Sequence, residues 1–222
     1  MSQVSAIIPA AGTGARFGEP KQFKSLAGLP LLFHCLSPFF LSKTIKEIIL
    51  IVQSNKIEFT KKGLQALKFE KKVKVVIGGQ ERQDSVKNGI LASSNSTKLV
   101  CIHDAARPFV TENLINKSVS LCKSADGAVI ACPSVDTVKL NDNGFIRKTL
   151  DRNDIWLAQT PQTFKKEKLI KAINNADNTG LIATDESVMM EEMGYSIKLV
   201  KGDENNFKIT TMHDWIRAES LL

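Results

Sequence analysis

The chain has 222 residues, with 30 Lys or Arg against 23 Asp or Glu, a net charge of +7. At 43% hydrophobic and 24% charged residues it has ordinary globular composition, which excludes a disordered or fibrous chain and leaves enough apolar side chains for a sizeable core. That length suits one full domain, 1–222, and no internal repeat or linker divides it.

In chain order, short apolar, β-rich runs alternate with amphipathic stretches. The runs are VSAIIPA (4–10), EIILIVQ (47–53), VKVVIGG (73–79), KLVCIHD (98–104) and GAVIACP (127–133). Each is bounded by turn chemistry and reads as a buried strand. Helical spacing falls between them over Leu31–Phe40, Ile57–Lys68, Arg82–Ser93 and Glu112–Lys123. The resulting β-α-β-α-β-α-β-α-β order predicts an α/β fold: an open, mostly parallel, Rossmann-like twisted sheet with helices on both faces. After Pro133 the rhythm changes. Two alternating runs flank Asn141-Asp142-Asn143-Gly144, a hairpin signal, and the segment 134–157 has too few apolar residues for a core of its own. It is expected to project as an arm that pairs with a second subunit. Helices near Lys165–Asn175 and Thr184–Met193, a strand YSIKLV (195–200), a short strand FKIT (207–210) and a capped helix from Thr211 complete the chain.

Most of the excess charge is local. Lys56, Lys61, Lys62, Lys68, Lys71, Lys72 and Lys74 against Glu58 and Glu70 give +5 in one stretch. Ile57, Leu64 and Leu67 fall on the opposite face, so the run reads as a solvated helix face and no nucleic-acid partner is expected. Cys35, Cys101, Cys122 and Cys132 contain no C-x-x-C pair, which argues against a metal knuckle and for reduced thiols in a reducing compartment. No apolar run approaches the roughly 18 residues of a membrane span, and the N-terminus has no basic lead. A cytoplasmic protein without a membrane anchor is expected.

Ligands of open parallel sheets bind at the carboxyl ends of the strands. The loop PAAGTGARFGEPKQF (9–23) follows the first run. Gly12, Gly14 and Gly18 give G-x-G-x-x-x-G, one residue too long for a dinucleotide fingerprint, and no acidic residue closes the second strand. A Walker A reading fails too, since Lys21 is followed by Gln22. What remains is an anion loop: Ala10, Ala11, Gly12 and Gly14 let backbone N–H groups approach, and Arg16 and Lys21 add charge. A Gly-rich turn with two solvated cations fits the same residues. Asp104 and Arg107 of HDAARP (103–108) also emerge at the ligand face, as ligands, as a salt bridge to each other, or both.

P-A-A-G-x-G-x-R followed by P-K-Q resembles the nucleotide signature of sugar-phosphate cytidylyltransferases. GGQERQDSV (78–86), HDAARP, VDTVK (135–139), DRNDIW (151–156) with TPQTF (160–164), TDESVMME (184–191) and NNFKIT (205–210) follow in the order and spacing of the 2-C-methyl-D-erythritol 4-phosphate cytidylyltransferase family. The resemblance runs from about residue 4 to 215, and at this length no second catalytic domain is expected. It implies transfer of CMP from CTP to 2-C-methyl-D-erythritol 4-phosphate in non-mevalonate isoprenoid synthesis, with Mg²⁺. The attacking phosphate is already an anion, with a second pKa of about 6, so no general base is needed. The three histidines, His34, His103 and His213, indeed form no motif with a nucleophile. Arg16 and Lys21 would be the catalytic charges.

By the same resemblance Pro9, Ala10, Ala11, Gly12, Gly14, Gly79, Gln80, Arg82, Ser85, Asp104, Ala105 and Arg107 bind CTP, with the cytosine edge near the double glycine and Ser85. Asp104 approaches the metal. Thr137, Arg152, Thr160 and Lys208 hold the polyol phosphate, Arg152 from the neighbouring subunit of a homodimer with shared sites. Without the resemblance Lys208 reads as a surface lysine. Ala15, Gln80, Asn205 and Phe207 depart from the family pattern. A ribitol 5-phosphate cytidylyltransferase shares the scaffold and the chemistry, and a non-catalytic nucleotide sensor would share the scaffold alone. Retention of both Arg16 and Lys21 argues against the sensor.

Overall fold

The structure, a computed structural model, describes residues 3–67 and 71–222. Lys68 and Glu70 of the lysine-rich run therefore lie outside the described residues. The chain runs β1 (Gln3–Pro9), β2 (Ser25–Leu26), β3 (Leu29–Pro30), α1 (Leu31–Leu41), β4 (Ile45–Val52), α2 (Ile57–Ala66) and β5 (Lys72–Ile77). It continues with α3 (Arg82–Ala92), β6 (Thr97–Ile102), α4 (Glu112–Leu121), β7 (Gly127–Pro133), β8 (Lys139–Asp142) and β9 (Phe145–Thr149). The last elements are β10 (Trp156–Lys165), α5 (Lys166–Thr179), α6 (Glu186–Glu192), β11 (Ile197–Lys201) and α7 (Met212–Glu219).

Seven strands form one sheet in the order β11-β7-β10-β6-β1-β4-β5. All five apolar runs are strands in it, and their side chains divide between two layers because successive residues of a strand face opposite ways. Val4, Ala6, Ile8, Ile48, Leu50 and Val52 pack with Leu32, Leu36 and Phe39 of α1 and Leu114 and Ile115 of α4. Ile7, Ile49, Ile51, Val100 and Ile102 pack on the other face with Val86 and Ile90 of α3 and Leu169 and Ile173 of α5. For β1, β4, β6 and β7, burial on both faces is what makes the runs continuous rather than alternating. VKVVIGG is not the buried strand expected: β5 lies at the sheet edge, only partly buried, with Ile77 exposed.

Two elements differ from the sequence reading. β10 runs antiparallel between β6 and β7, in the middle of the sheet. Its residues WLAQTPQTFK look like a loop because the buried ones are largely Gln and Thr, held by side-chain hydrogen bonds instead of apolar packing. The expected strand over 207–210 is absent, since that segment forms no ladder and is tied by Ile209 N–H to Ala106 O at 2.8 Å. The expected hairpin is present: β8 and β9 pair with each other through an Asn143-Gly144 turn with φ of 49° and 90°, and both strands are exposed throughout. Its far boundary moves inward by a residue or two, because Trp156 already pairs with Pro133 in the main sheet.

The lysine-rich run is not wholly solvated. Ile57, Leu64 and Leu67 do face the core, and Lys61 and Lys62 are exposed. Lys71, however, donates to Phe39 O and Ser42 O at the end of α1, where helix carbonyls lack partners. The four cysteines are free, and burial pushes the Cys101 and Cys122 thiols up to about 12, so they stay protonated.

At the end of the sheet remote from the strand C-termini, Glu47 is 3% exposed and joins three strands. Its Oε1 accepts from Ser5 Oγ at 2.7 Å, Ser94 N at 2.6 Å and Thr97 Oγ1 at 3.2 Å, and Lys74 Nζ lies 3.5 Å from Oε2. Burial works against the charge, but these donors and Lys74 outweigh it and hold the carboxyl below the usual range. A depressed carboxyl pKa contributes stability above the unfolded value of about 4.3, and that stability is lost as pH falls through the folded value. Glu47→Gln should lower the unfolding free energy in urea by about 1.5–3 kcal/mol at neutral pH. The gap from wild type should close in acid. A gap that stays constant below about pH 4 contradicts this role.

Candidate active site

The sheet order reverses at β1, whose neighbours are β4 on one side and β6 on the other, and such a reversal opens a crevice at the strand C-termini. A cavity of about 330 Å³ lies there, walled by the loops that follow β1, β5 and β6. Pro9, Ala10, Ala11, Gly12, Gly14, Arg16, Lys21, Gly79, Gln80, Arg82, Ser85, Asp104, Ala105 and Lys208 all line it. Fourteen sequence-predicted residues from four separate segments thus meet in one place.

The loop after β1 is held open by specific contacts. Gly14 has φ +74°, and a Cβ there would sit 1.9 Å from Glu19 O, so no other residue fits. Gln22 Nε2 donates to Ala10 O at 2.8 Å and to Gly12 O at 2.6 Å. With those carbonyls tied down, the loop is stiffened from behind. Against it lies the turn before α3, where a Cβ on Gly78 would come within 2.3 Å of Ala11 Cβ. Gly79 N donates to Ser85 Oγ at 3.1 Å, which leaves the Ser85 hydroxyl proton available to the cavity. The N-terminus of α3 opens onto the same space, adding the positive end of a helix.

Charge converges here. Lys21 is 9% exposed, and no carboxylate lies within ion-pair distance of it among the described residues. Burial first, then Lys208 and Arg16, lower its pKa from the ordinary lysine value. A partly buried cation without a counter-ion is satisfied by an anionic ligand. Asp104 is the opposite case. Its Oδ2 lies 2.8 Å from Lys208 Nζ and 3.9 Å from Arg107 Nε, while Oδ1 accepts from Arg82 Nε at 3.3 Å and Nη2 at 3.2 Å. Burial opposes its charge, but Arg82, Lys208 and Arg107 hold the carboxyl far below the usual range. Asp104 is thus ionised and shared among three cations.

Lys208 is no surface lysine. Ile209 is buried with Trp215 of α7, and Phe207 lies between the Phe109 ring (centroids 5.5 Å apart) and Arg217 (4.1 Å). Anchored on both sides, Lys208 is turned into the cavity.

Four predicted residues do not line this chain's cavity. Arg107 turns inward, donating from Nη1 to Asn206 O at 2.8 Å, so it braces the segment that carries Lys208. Its salt bridge with Asp104, one of the expected readings, is present but is the longest of the Asp104 pairs at 3.9 Å. Thr160 is 4% exposed, and its hydroxyl is occupied by Asp104 N and His103 Nδ1, both at 3.0 Å. Thr137 and Arg152 are exposed on the arm and near its base.

Sequence reasoning missed Gln22 and Glu186. Glu186 is 1% exposed and grips Arg82 at two points, Oε1 to Nη1 at 2.6 Å and Oε2 to Nη2 at 3.1 Å. Arg82 is thereby a bridge between two acids rather than a free anion clamp. The signals were present in P-K-Q and in TDESVMME, but neither motif says what the polar side chain holds.

An α/β fold with an anion loop at the sheet reversal, a helix N-terminus beside it and cations from distant segments is that of a nucleotide-utilising transferase. The model of the 2-C-methyl-D-erythritol 4-phosphate cytidylyltransferase family matches residues 4–222, and the chain belongs to that family. The enzyme of that name from Alkaliphilus oremlandii (strain OhILAs) is 39% identical over 100% of this chain and 96% of its own. The one from Caldanaerobacter subterraneus subsp. tengcongensis is 40% identical over 99% and 98%. The crystal structure of 4-diphosphocytidyl-2C-methyl-D-erythritol synthase from Anaerococcus prevotii superposes with a TM-score of 0.90 at 30% identity, over 99% and 98% of the two chains.

Proposed function

We propose that the protein transfers CMP from CTP to 2-C-methyl-D-erythritol 4-phosphate, giving 4-diphosphocytidyl-2-C-methyl-D-erythritol and pyrophosphate, in isoprenoid precursor synthesis. The observation that carries this reading is a cavity where Arg16, Lys21 and Lys208 converge on a glycine-rich loop with no activated nucleophile beside them. His103, the histidine closest in sequence to the site, is fully buried, and burial brings it down to about 4, so it is neutral and is not a base for the substrate. The substrate phosphate supplies its own negative charge.

In this reading the backbone of 10–14 and the N-terminus of α3 cradle the triphosphate, and Gly79 with Ser85 meets the cytosine edge. Arg16 and Lys21 oppose the charge that grows on the α-phosphate and the departing pyrophosphate. Lys208 takes the polyol phosphate. Among the described residues no cluster of three His, Cys, Asp or Glu could hold a metal. Mg²⁺ takes one or two carboxylates and otherwise phosphate and water oxygens. Asp104, ionised and at the cavity wall, would hold the ion, which would supply positive charge against the phosphates.

The whole chain, 1–222, serves as one nucleotidyltransferase domain, and the segment expected at 134–157, shortened where Trp156 and Leu157 join the main sheet, is its dimerisation arm. Val135, Leu140, Phe145, Ile146 and Leu157 on the arm and its base are 69, 42, 79, 68 and 58% exposed, and such a surface favours a second copy about a two-fold axis. Thr137 and Arg152 then reach the neighbour's site, where the planar fork of Arg152 suits phosphate. No described helix is long and apolar enough to cross a membrane.

The test is pyrophosphate release from CTP and Mg²⁺ with each candidate polyol phosphate. The methylerythritol phosphate should turn over and ribitol 5-phosphate should not; the reverse overturns the assignment. Lys21→Ala should cut kcat about 10²- to 10³-fold while KM for CTP changes little, because the charge acts mainly in the transition state. A kcat within about threefold of wild type removes Lys21 from the chemical step.

Sharing of sites has its own test. Chains carrying Arg152→Ala and chains carrying Lys208→Ala, each inactive alone, should regain activity when mixed. The ceiling is about a quarter of wild type, since half of random pairs are heterodimers and half their sites are intact. No recovery despite proven exchange puts both residues in one chain's site.

A further inference from the structure

His103 is the first residue after β6, wholly buried, with its ring 5.1 Å from that of Phe39. An apolar side chain would fill such a place more cheaply. Its two nitrogens are both used. Nε2 lies 3.0 Å from Arg107 O, a carbonyl that can only accept, so Nε2 carries the hydrogen. Nδ1 of the neutral ring then accepts, and the Thr160 hydroxyl, 3.0 Å away, is its donor. The hydroxyl oxygen keeps its lone pairs, and one of them accepts the Asp104 N–H at 3.0 Å.

We infer that His103 is a positioning residue that, acting through Thr160, sets the loop 103–107 so that Asp104 meets Lys208. The ring clamps the loop at both ends, at Asp104 N through the hydroxyl and at Arg107 O directly. What it holds is the frame of the Lys208 segment, since Ala106 O accepts from Ile209 N at 2.8 Å and Arg107 Nη1 donates to Asn206 O at 2.8 Å. Asn206 closes the ring of contacts by donating to Thr160 O at 2.9 Å. The Thr160 hydroxyl therefore serves the loop, and the substrate is met by Lys208.

This inference rests on the proposed role of Lys208 for its kinetic consequence, so one readout is taken without substrate. In the unliganded protein, Thr160→Val, which keeps the shape but removes the hydroxyl, and His103→Phe, which keeps a slightly larger aromatic ring but removes the ring nitrogens, should each speed Asp104 amide hydrogen exchange at least tenfold. Thr160→Ser should restore most of the protection. In steady state both variants should raise KM for the polyol phosphate by about tenfold with a smaller change for CTP. The double variant should lose no more than the worse single one, because both act through one hydrogen bond. Additive losses, or Thr160→Val altering KM while Asp104 exchange is untouched, would make Thr160 a direct ligand and overturn the inference. If exchange responds as stated but neither KM moves, the clamp stands and the substrate role of Lys208 fails. Should His103→Phe not fold, Thr160→Val against Thr160→Ser decides the question by exchange alone.

Discussion

Asp104 is one carboxylate, nearly buried, facing cations from α3, from its own loop and from the segment after β11. A lone charge in that position would be strongly destabilising, and removing one partner from such a cluster typically costs about 3–5 kcal/mol. Arg82, Arg107 and Lys208 are 22, 3 and 104 positions away in sequence, and all come to the same two oxygens. Their meeting fixes the walls of the cavity relative to each other. Glu186 extends the chain of alternating charge behind Arg82, which keeps that guanidinium from swinging into the ligand space. The consequence is a site in which, among the described residues, Lys21 and Arg16 have no ion-pair partner while Arg82, Arg107 and Lys208 share Asp104.

That imbalance is the chemical content of the site. Where the attacking group is already an anion, the remaining work is to bring like charges together and to accept the charge that leaves. A loop pinned by Gln22 and turned at Gly14 holds its backbone fixed before the ligand arrives, so little reorganisation is needed at the moment of reaction. The apolar layers on either face of the sheet supply the rigidity on which these short loops depend. Phe207 and Ile209 do the same on a smaller scale for Lys208.

Four of the five parallel strands were legible in the sequence because burial on both faces writes a continuous apolar run, and the edge strand β5 because its valines and isoleucine favour an extended chain even when only partly buried. The hairpin was legible through Asn-Gly, which supplies the two positive φ angles of a tight turn. β10 was not, because its buried Gln159, Thr160, Gln162 and Thr163 are stabilised by partners that are far away in the chain. The glycine-rich loop stood out by composition and spacing, as an anion loop or as a turn with two solvated cations, and the family resemblance chose between them. Lys208 needed the family resemblance, and Glu186, Gln22 and the inward turn of Arg107 needed coordinates, since a polar residue looks the same in sequence whether it meets ligand, solvent or another side chain.

The most direct test of this account is steady-state turnover by Asp104→Asn, which keeps the shape of the side chain and removes the charge that gathers Arg82, Arg107 and Lys208. The account predicts that kcat/KM for pyrophosphate release falls by at least about 10²- to 10³-fold, with a lower unfolding midpoint but a cooperative transition. Turnover by the Asp104→Asn variant within about threefold of wild type would contradict it, since the cations would then reach their places without the carboxylate.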